Sequence, residues 1–470
     1  MTNPGIRWIV GAAVLAGAGM AAPAPSPEQA QWLARASLKD KAGWTYLHVE
    51  GGPRERGFQH GYLLAGRIAE CMRVTGVMWR HQSGMEWPWL TERTKGFMNP
   101  AIDPEDREEI DGIAEGMRAA GSAVTSDELI TYNASLELCG YWWPKEKKKL
   151  TGDSEGPQPK KQSCSSFIAT GHMTADGGIV LGHNSMFDYA EASFNVIIDI
   201  VPAKGHRILM QTKPGWIHSG TDFFVTDSGI VGSETTIGGF NGFSTTGIPE
   251  FVRMRQATQY ADGIDGWCET MRKGNNGGYA NAWLIGDVKT GEIARLELGL
   301  RYVGFERTKD GYFVGSNIAE DLRILRMETD ANDGDIRNSN VARRVRWKEL
   351  MRENAGRIDV ERAKSMEADC YDTCLKRVNP SGRTLAGHFE LDVPMSGQDV
   401  PYDPSGSFDA KVVDSAMARR MAFAARWGSA DGTAFDAAAF LRDHPQFDWQ
   451  EGVLKSRPAE PWVEFQAGEK

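Results

Sequence analysis

From Cys164 onward the chain is written in short apolar runs broken by turn residues, and that pattern restricts it to a sheet-rich fold. "SSFIATG", "GGIVLGHN", "FNVIIDIVP", "RILMQTK", "DFFVTDSGIVGSETT", "NAWLIGDV", "EIARLELGL" and "GYFVGSN" each have strand length and β-type residues. Asp176-Gly177, Lys204-Gly205, Asp227-Ser228-Gly229 and Lys309-Asp310-Gly311 separate several of them as turns. Successive hairpins imply a largely antiparallel sheet. "NVIIDIV" is apolar on both alternations, so both faces of that strand need cover. Helical spacing at 248–262, 338–354, 415–428 and 434–442 supplies candidate layers. The expectation is an α+β sandwich with helices outside the sheets.

The chain before Cys164 has a different character. Residues 25–143 read as mainly helical. "DPEDREEIDGIAEGMRAAG" places Asp103 as N-cap, Pro104 at the first helical position and acids in the first turn. Thr125-x-x-Glu128 is a capping box. "ERGFQHGYLLAGRIAECMRV" is amphipathic at helical spacing. Residues 144–163, "PKEKKKLTGDSEGPQPKKQS", carry one aliphatic side chain, Leu150. They read as an exposed, protease-accessible linker with too little apolar surface to fold alone. Residues 1–24 read as an export signal: Arg7, then the apolar run "WIVGAAVLAGAG", then small residues at Ala22-Pro23-Ala24. The expected location is secreted or periplasmic, with no membrane-spanning segment after signal removal.

Composition excludes some functions. The formal net charge is −10 and the lysines and arginines are scattered or gathered in the linker, so no nucleic-acid partner is expected. Fifteen tryptophans, among them Trp79, Trp87, Trp89, Trp142 and Trp143, serve either core packing or an apolar substrate pocket. The six cysteines are spread out, which is no disulfide framework. Cys370-x-x-x-Cys374 reads as a local disulfide or as two positions on one helix face. No histidine flanks it at zinc spacing, so no metal or cofactor is expected.

Cys164 is where chemistry is expected. It stands at the junction of linker and strand, among the small residues Ser163, Ser165 and Ser166. If the Ser163–Cys164 bond were cut, one residue would own a thiol, with a reference pKa of ~8.5, and an α-amine of ~7.7–8.0. The neutral amine then serves as base for the thiol, and no separate histidine is required. "LGHNSMFDY" returns His183 and Asn184 along a hairpin toward Cys164, with Asp188 further on. "SETTIGGFNGF" carries Glu234, Thr235 and Thr236 into a glycine-rich loop, where backbone approaches a ligand. Asn281 in "NNGGYANAWLIGD" precedes an apolar strand and is suited to donate into an oxyanion hole.

"CSSFIATG", "IVLGHNSMFDY", "SGTDFFV…SETTIGGF", "NNGGYANAWLIGD…IARLELGL", "SGRTLAGHFELD" and "ERGFQHGYLLAG" together resemble the N-terminal-nucleophile (Ntn) hydrolases. The resemblance is to the phospholipase B-like family and to the neighbouring penicillin acyltransferase-like (C45 peptidase) group. It implies a four-layer αββα fold and a precursor that cuts itself before the nucleophile. It also implies two chains that stay associated, 25–143 giving the first and 164–470 the second, and a small acylated or lipid substrate. Cys164 matches the family's terminal cysteine and Asn281 its oxyanion asparagine. His183 falls where related cysteine hydrolases carry an amine-orienting Asp, as it does in phospholipase B-like proteins. The orienting role is open among His183, Asn184 and Asp188. Arg343 in "SNVARRVRW" matches an active-site arginine of bile-salt hydrolase relatives.

Three other readings compete. A papain-like thiol peptidase would pair Cys164 with His206 or His218. A metallohydrolase would use His183, His206 and His218, although no HExxH spacing is present. A non-enzymatic exported β-rich binding protein would carry an inert Cys164.

Overall fold

The computed structural model describes residues 25–152, 163–220, 222–394 and 400–469. The expected signal peptide and residues 153–162 of the expected linker lie outside them. Two sheets lie face to face. The larger has nine strands in the order Ser37–Lys41, Trp44–Gly51, Val196–Pro202, Ile208–Thr212, Phe223–Thr226, Ile230–Thr236, Asn281–Asp287, Glu292–Leu298 and Val303–Thr308. All neighbours are antiparallel except Trp44–Gly51 beside Val196–Pro202. The second runs Gly311–Gly315, Ser163–Thr170, Val180–Asp188, Asp409–Asp414, Ala422–Trp427 and Val463–Gln466, with Ser405–Ser407 added against Val180–Asp188.

The sheets touch through small groups. Ser166 Oγ lies 2.6 Å from Ser233 Oγ across the interface, and Ile168 fills the space left by Gly286. Outside the larger sheet, helix Ile264–Arg272 sets Trp267 edge-on to Trp283, with ring centroids 5.0 Å apart. Outside the second, helix Ser339–Glu353 sets Trp347 against Phe167 at 5.2 Å. The layers are therefore αββα, the fold expected from the resemblance.

The amino-terminal helices close one end. Helices Pro53–Leu63 and Pro104–Ala119 cross so tightly that a Cβ on Gly57 would stand 2.1 Å from the Glu109 carbonyl oxygen, and one on Gly116 would stand 2.3 Å from that of Phe58. Only glycine fits such backbone contact. The expected caps of Asp103 and Thr125 form.

Four expectations are corrected. Residues 37–51 are two strands of the larger sheet, because Trp44, Tyr46, Leu47 and Val49 bury on it. Residues 415–428 are helix only over Ser415–Arg419; Ala422–Trp427 is a strand between two others, where burial overrides the helical preference of alanine. The lysine-rich run begins as helix Trp143–Thr151, anchored by buried Glu146, which accepts from Arg93 (2.6 Å) and Lys149 (3.3 Å). Cys370 precedes a two-stranded hairpin, Tyr371–Asp372 with Arg377–Val378, Cys374 lies in its turn, and all six cysteines are free thiols. Among the described residues, no helix is long and apolar enough to cross a membrane.

Candidate active site

Hairpin register decides what Cys164 faces. It pairs with Ser185, Ser166 pairs with His183, and Lys411 pairs with His183 from the other side. Paired residues and those two apart share a face of a sheet, so Cys164, Ser166, His183, Ser185, Asp409 and Lys411 form one patch facing the larger sheet. Asn184 takes the opposite face. Its Nδ2 donates to the Leu385 carbonyl (2.8 Å) and its Oδ1 accepts from Ser407. The structure therefore does not bring Asn184 to the thiol.

Cys164 is buried. Its backbone N–H leaves the strand ladder and donates to Asn317 Oδ1 at 3.0 Å. Asn317 stands just past strand Gly311–Gly315 with φ 65°. Its own Nδ2 donates to the Thr236 carbonyl (2.8 Å). Arg343, fully buried in helix Ser339–Glu353, donates to the Cys164 carbonyl (2.6 Å), to Ser165 Oγ (3.2 Å) and to Asn317 Oδ1 (2.9 Å). One asparagine and one arginine thus hold both backbone polar groups of Cys164. Burial, then the nearby Glu234, push the thiol well above its ordinary range, and Lys411 acts against them. Lys411 is itself fully buried and donates to Ser185 Oγ, Gln211 Oε1 and Asp409 Oδ1, each at 2.6 Å. Neither ring nitrogen of His183 makes a hydrogen bond of normal geometry among the described residues. Burial and the Lys411 charge keep the ring neutral.

A second cluster gathers at the end of strand Ile230–Thr236. Tyr279 Oη lies 2.6 Å from Glu234 Oε1 and 2.9 Å from Asp222 Oδ2. Asn281 Nδ2 donates to Glu234 Oε2 at 3.0 Å. One phenolic hydrogen cannot serve two carboxylates, so a carboxyl must hold a proton. Burial raises both acids, Asp222 well above the ordinary range. Asp222, Tyr279 and Asn317 all carry left-handed backbone, at φ 56°, 51° and 65°. Such conformations cost side chains other than glycine energy and cluster at functional sites. Thr236 Oγ1 reaches Glu234 at 3.4 Å. Thr235 instead faces the sheet interface, where a Cβ on Gly315 would stand 2.5 Å from its hydroxyl.

Thr236 and Tyr279 also line a cavity of about 90 Å³ with Trp79, Cys139, Phe194 and Lys213. That cavity shares Met78, Gln82, Asp188 and Glu191 with a wider cleft of about 740 Å³. Of the early tryptophans, Trp79 thus lines a pocket, whereas Trp142 and Trp143 pack with Trp89 as core.

The structure therefore assembles Cys164 with Arg343 directly, and Asn281 with Glu234 and Thr236. His183 lies on the thiol's face, Asn184 on the other, and Asp188 at the cavity mouth. Ser163 begins the Cys164 strand, opposite Met186. Reasoning from the sequence missed Asn317, Asp222, Tyr279 and Lys411. The first three sit at strand ends within quoted motifs, and Lys411 sits inside an ordinary-looking strand. His206 is held between Asp227 (3.0 Å) and Asp262 (2.9 Å) on the surface. His218 is stacked on Trp216 at 4.8 Å. Neither is paired with Cys164, against the papain-like reading. These separate partners also leave the three histidines of the metallohydrolase reading uncollected.

A family model, Phospholipase B, matches residues 109–302. An uncharacterised protein of Archaeoglobus fulgidus is 26% identical over 267 residues, 54% of this chain and 43% of that protein. Phospholipase B of Crotalus adamanteus is 28% identical over 287 residues, 55% of this chain and 50% of its own. The chain spans about half the length of the curated relatives it matches. Among solved structures, a mutant of the conjugated bile acid hydrolase from Clostridium perfringens aligns with a TM-score of 0.35 and 11% identity, covering 56% of this chain and 89% of that one.

Proposed function

We propose that this chain, akin to the phospholipase B family through the segment that carries Cys164, His183, Glu234 and Asn281, is an acyl hydrolase of the Ntn type. It cuts its own chain before Cys164 and then cleaves an ester or amide through an acyl-Cys164 intermediate. The observation that carries this reading is the hydrogen bond from the Cys164 backbone nitrogen to Asn317 Oδ1. The nitrogen that cleavage would turn into an α-amine already has an acceptor, itself fixed by Arg343 and the Thr236 carbonyl.

Two stages follow. In the first, Cys164 Sγ attacks the Ser163 carbonyl carbon and the peptide C–N bond breaks as a thioester forms. The amine takes a proton, and water hydrolyses the thioester to a Ser163 carboxylate and a free thiol. In the second, the α-amine removes the thiol proton while Sγ attacks the substrate carbonyl. The amine gives the proton to the leaving alcohol or amine, and water releases the acid. Asn281 Nδ2 has a second hydrogen beyond the one given to Glu234, and that hydrogen serves the oxyanion together with a backbone N–H. The high pKa of the buried thiol supports a base built into the same residue.

After cleavage both parts stay together: residues 37–51 lie in the larger sheet, beside Val196–Pro202 of the second part. The cavity lined by Trp79, Phe194 and Trp216 suits an acyl chain, of a phospholipid or of an N-acyl amide. The signal-like start supports an exported enzyme. Intact mass and N-terminal sequencing of wild type beside Cys164→Ala test the proposal. A fragment beginning at Cys164 is expected in the wild type alone. A wild type that stays whole, or a variant that still cuts itself, overturns it.

A further inference from the structure

Away from Cys164, three distant stretches bring a thiol, an imidazole and a carboxylate together. Cys370 lies between helix Val360–Glu367 and strand Tyr371–Asp372. His388 bridges to Gly406. Asp431 lies in the loop after strand Ala422–Trp427. One potential ligand atom from each lies within 4.8 Å of the others.

The hydrogen bonding fixes which atoms face inward. His388, 1% exposed, sets Nδ1 against Glu390 Oε1 at 2.8 Å, and Glu390 Oε2 also accepts from Tyr189 at 2.9 Å. Nε2 lies 3.3 Å from Asp431 Oδ2, so the ring stands between two carboxylates, one at each nitrogen. Ser429 Oγ is also 3.3 Å from Nε2, but its hydrogen goes to Asp431 Oδ1 at 2.8 Å. Asp431 Oδ2 further accepts from Thr433 Oγ1 (2.9 Å) and lies 3.5 Å from Cys370 Sγ. Without a cation, a proton on Nε2 and the Cys370 thiol hydrogen satisfy these contacts to Asp431, and a bound cation would take the place of both.

The spacing fits a particular cation. Tetrahedral zinc with ordinary bond lengths places nitrogen and oxygen ligands about 3.4 Å apart, and sulfur and oxygen about 3.6 Å apart. Nitrogen and oxygen stand 3.3 Å apart and sulfur and oxygen 3.5 Å, with sulfur and nitrogen within 4.8 Å of each other. A sulfur, nitrogen and oxygen donor set is one that zinc accepts. A carboxylate on the far ring nitrogen is the usual outer partner of a zinc-bound histidine.

We propose that Cys370 Sγ, His388 Nε2 and Asp431 Oδ2 bind one Zn²⁺, with a fourth position left to water between the half-buried Cys370 and Asp431. Binding displaces the thiol proton and the Nε2 proton to solvent. The ion ties together three loops on the outer side of the second sheet, among them the stretch whose Leu385 carbonyl holds Asn184.

The test uses the full chain, stripped with a chelator, dialysed and titrated with Zn²⁺ against a chromogenic competitor. One equivalent is expected to bind. Co²⁺ in its place is expected to give a thiolate charge-transfer band. Cys370→Ala and His388→Gln each erase the band and lower zinc affinity by more than about 100-fold, whereas Glu390→Gln lowers it about 10-fold. Cys374→Ala changes neither. A wild type that takes up no stoichiometric zinc, or a cobalt complex without a thiolate band, overturns the site and leaves a hydrogen-bonded triad. Zinc binding that survives Cys370→Ala overturns it as well. If a ligand variant does not fold, the wild-type cobalt spectrum decides alone.

Discussion

Two regions of this molecule bury charge, and they do it in opposite ways. Where helices Pro53–Leu63, Pro104–Ala119 and Glu250–Tyr260 meet, charges are matched. Glu109 Oε2 accepts from Arg56 at 2.6 Å and from Arg255 at 3.0 Å, and Arg56 reaches Glu105 at 2.9 Å. Around Cys164 one buried ion pair, Lys411 with Asp409 at 2.6 Å, stands beside groups that are left unmatched. Asp222 and Glu234 share a tyrosine rather than a cation, and His183 makes no normal hydrogen bond among the described residues. Unpaired buried groups must be neutral, so they hold protons or release them instead of carrying charge. Matched charge holds helices in place; unmatched, proton-holding groups suit a site that moves protons.

The largest effect expected is at the nucleophile. Cys164→Ala removes self-cleavage altogether and lowers turnover of an ester or amide by ~10⁴-fold or more, while the fold survives. Intact mass and a turnover assay on the same preparation check this. A variant that unfolded instead would place Cys164 with the structural charges.

Glu109→Gln is the mirror experiment. Breaking a buried ion pair strands its partners and costs about 3–5 kcal/mol of stability; here two arginines lose one acceptor. Urea unfolding should register that loss, and kcat of the folded fraction should stay unchanged. A fall in kcat at full stability would break the comparison.

Asn281→Ala tests the unmatched region at one donor. Loss of an oxyanion donor lowers kcat about 10²–10³-fold, or about 2.7–4 kcal/mol, with a smaller change in KM. An effect confined to KM would assign Asn281 to substrate binding.

How far this division was readable in the sequence follows from how local each feature is. The Cys164 hairpin was legible, because strand, turn and strand are contiguous and register carries His183 to the thiol's face. The side of Asn184 was not, since a one-residue difference in a strand reverses direction. Arg343 was found through the resemblance, not through its helix, which has the look of an exposed one. Asn317, Asp222 and Tyr279 depend on left-handed backbone at strand ends, which no spacing encodes for residues other than glycine. The Cys370, His388 and Asp431 cluster escaped because zinc motifs are sought among near neighbours, and here three separate loops supply one ligand each. Strand Ala422–Trp427 was hidden by its alanines, whose place between two other strands outweighs their helical preference.

Asp106 sharpens the division from inside the matched region. It lies on the helix of Glu109, yet no cation among the described residues touches it. Oδ2 accepts from Gln256 at 3.1 Å and Oδ1 has no partner there. Burial pushes its carboxyl up to about 8, with Arg255 acting against the shift. The folded state therefore keeps a proton that the unfolded chain releases near its ordinary value of about 4. Between those two values the folded state binds more protons, so stability falls as pH rises, by up to about 1.4 kcal/mol per pH unit, and levels off above the folded value. Asp106→Asn removes this dependence. The variant should match the wild type near pH 4 and exceed it at pH 8, as read by urea unfolding at both. Parallel pH curves would mean that Asp106 is ionised in the fold, and that the matched region neutralises every acid it buries.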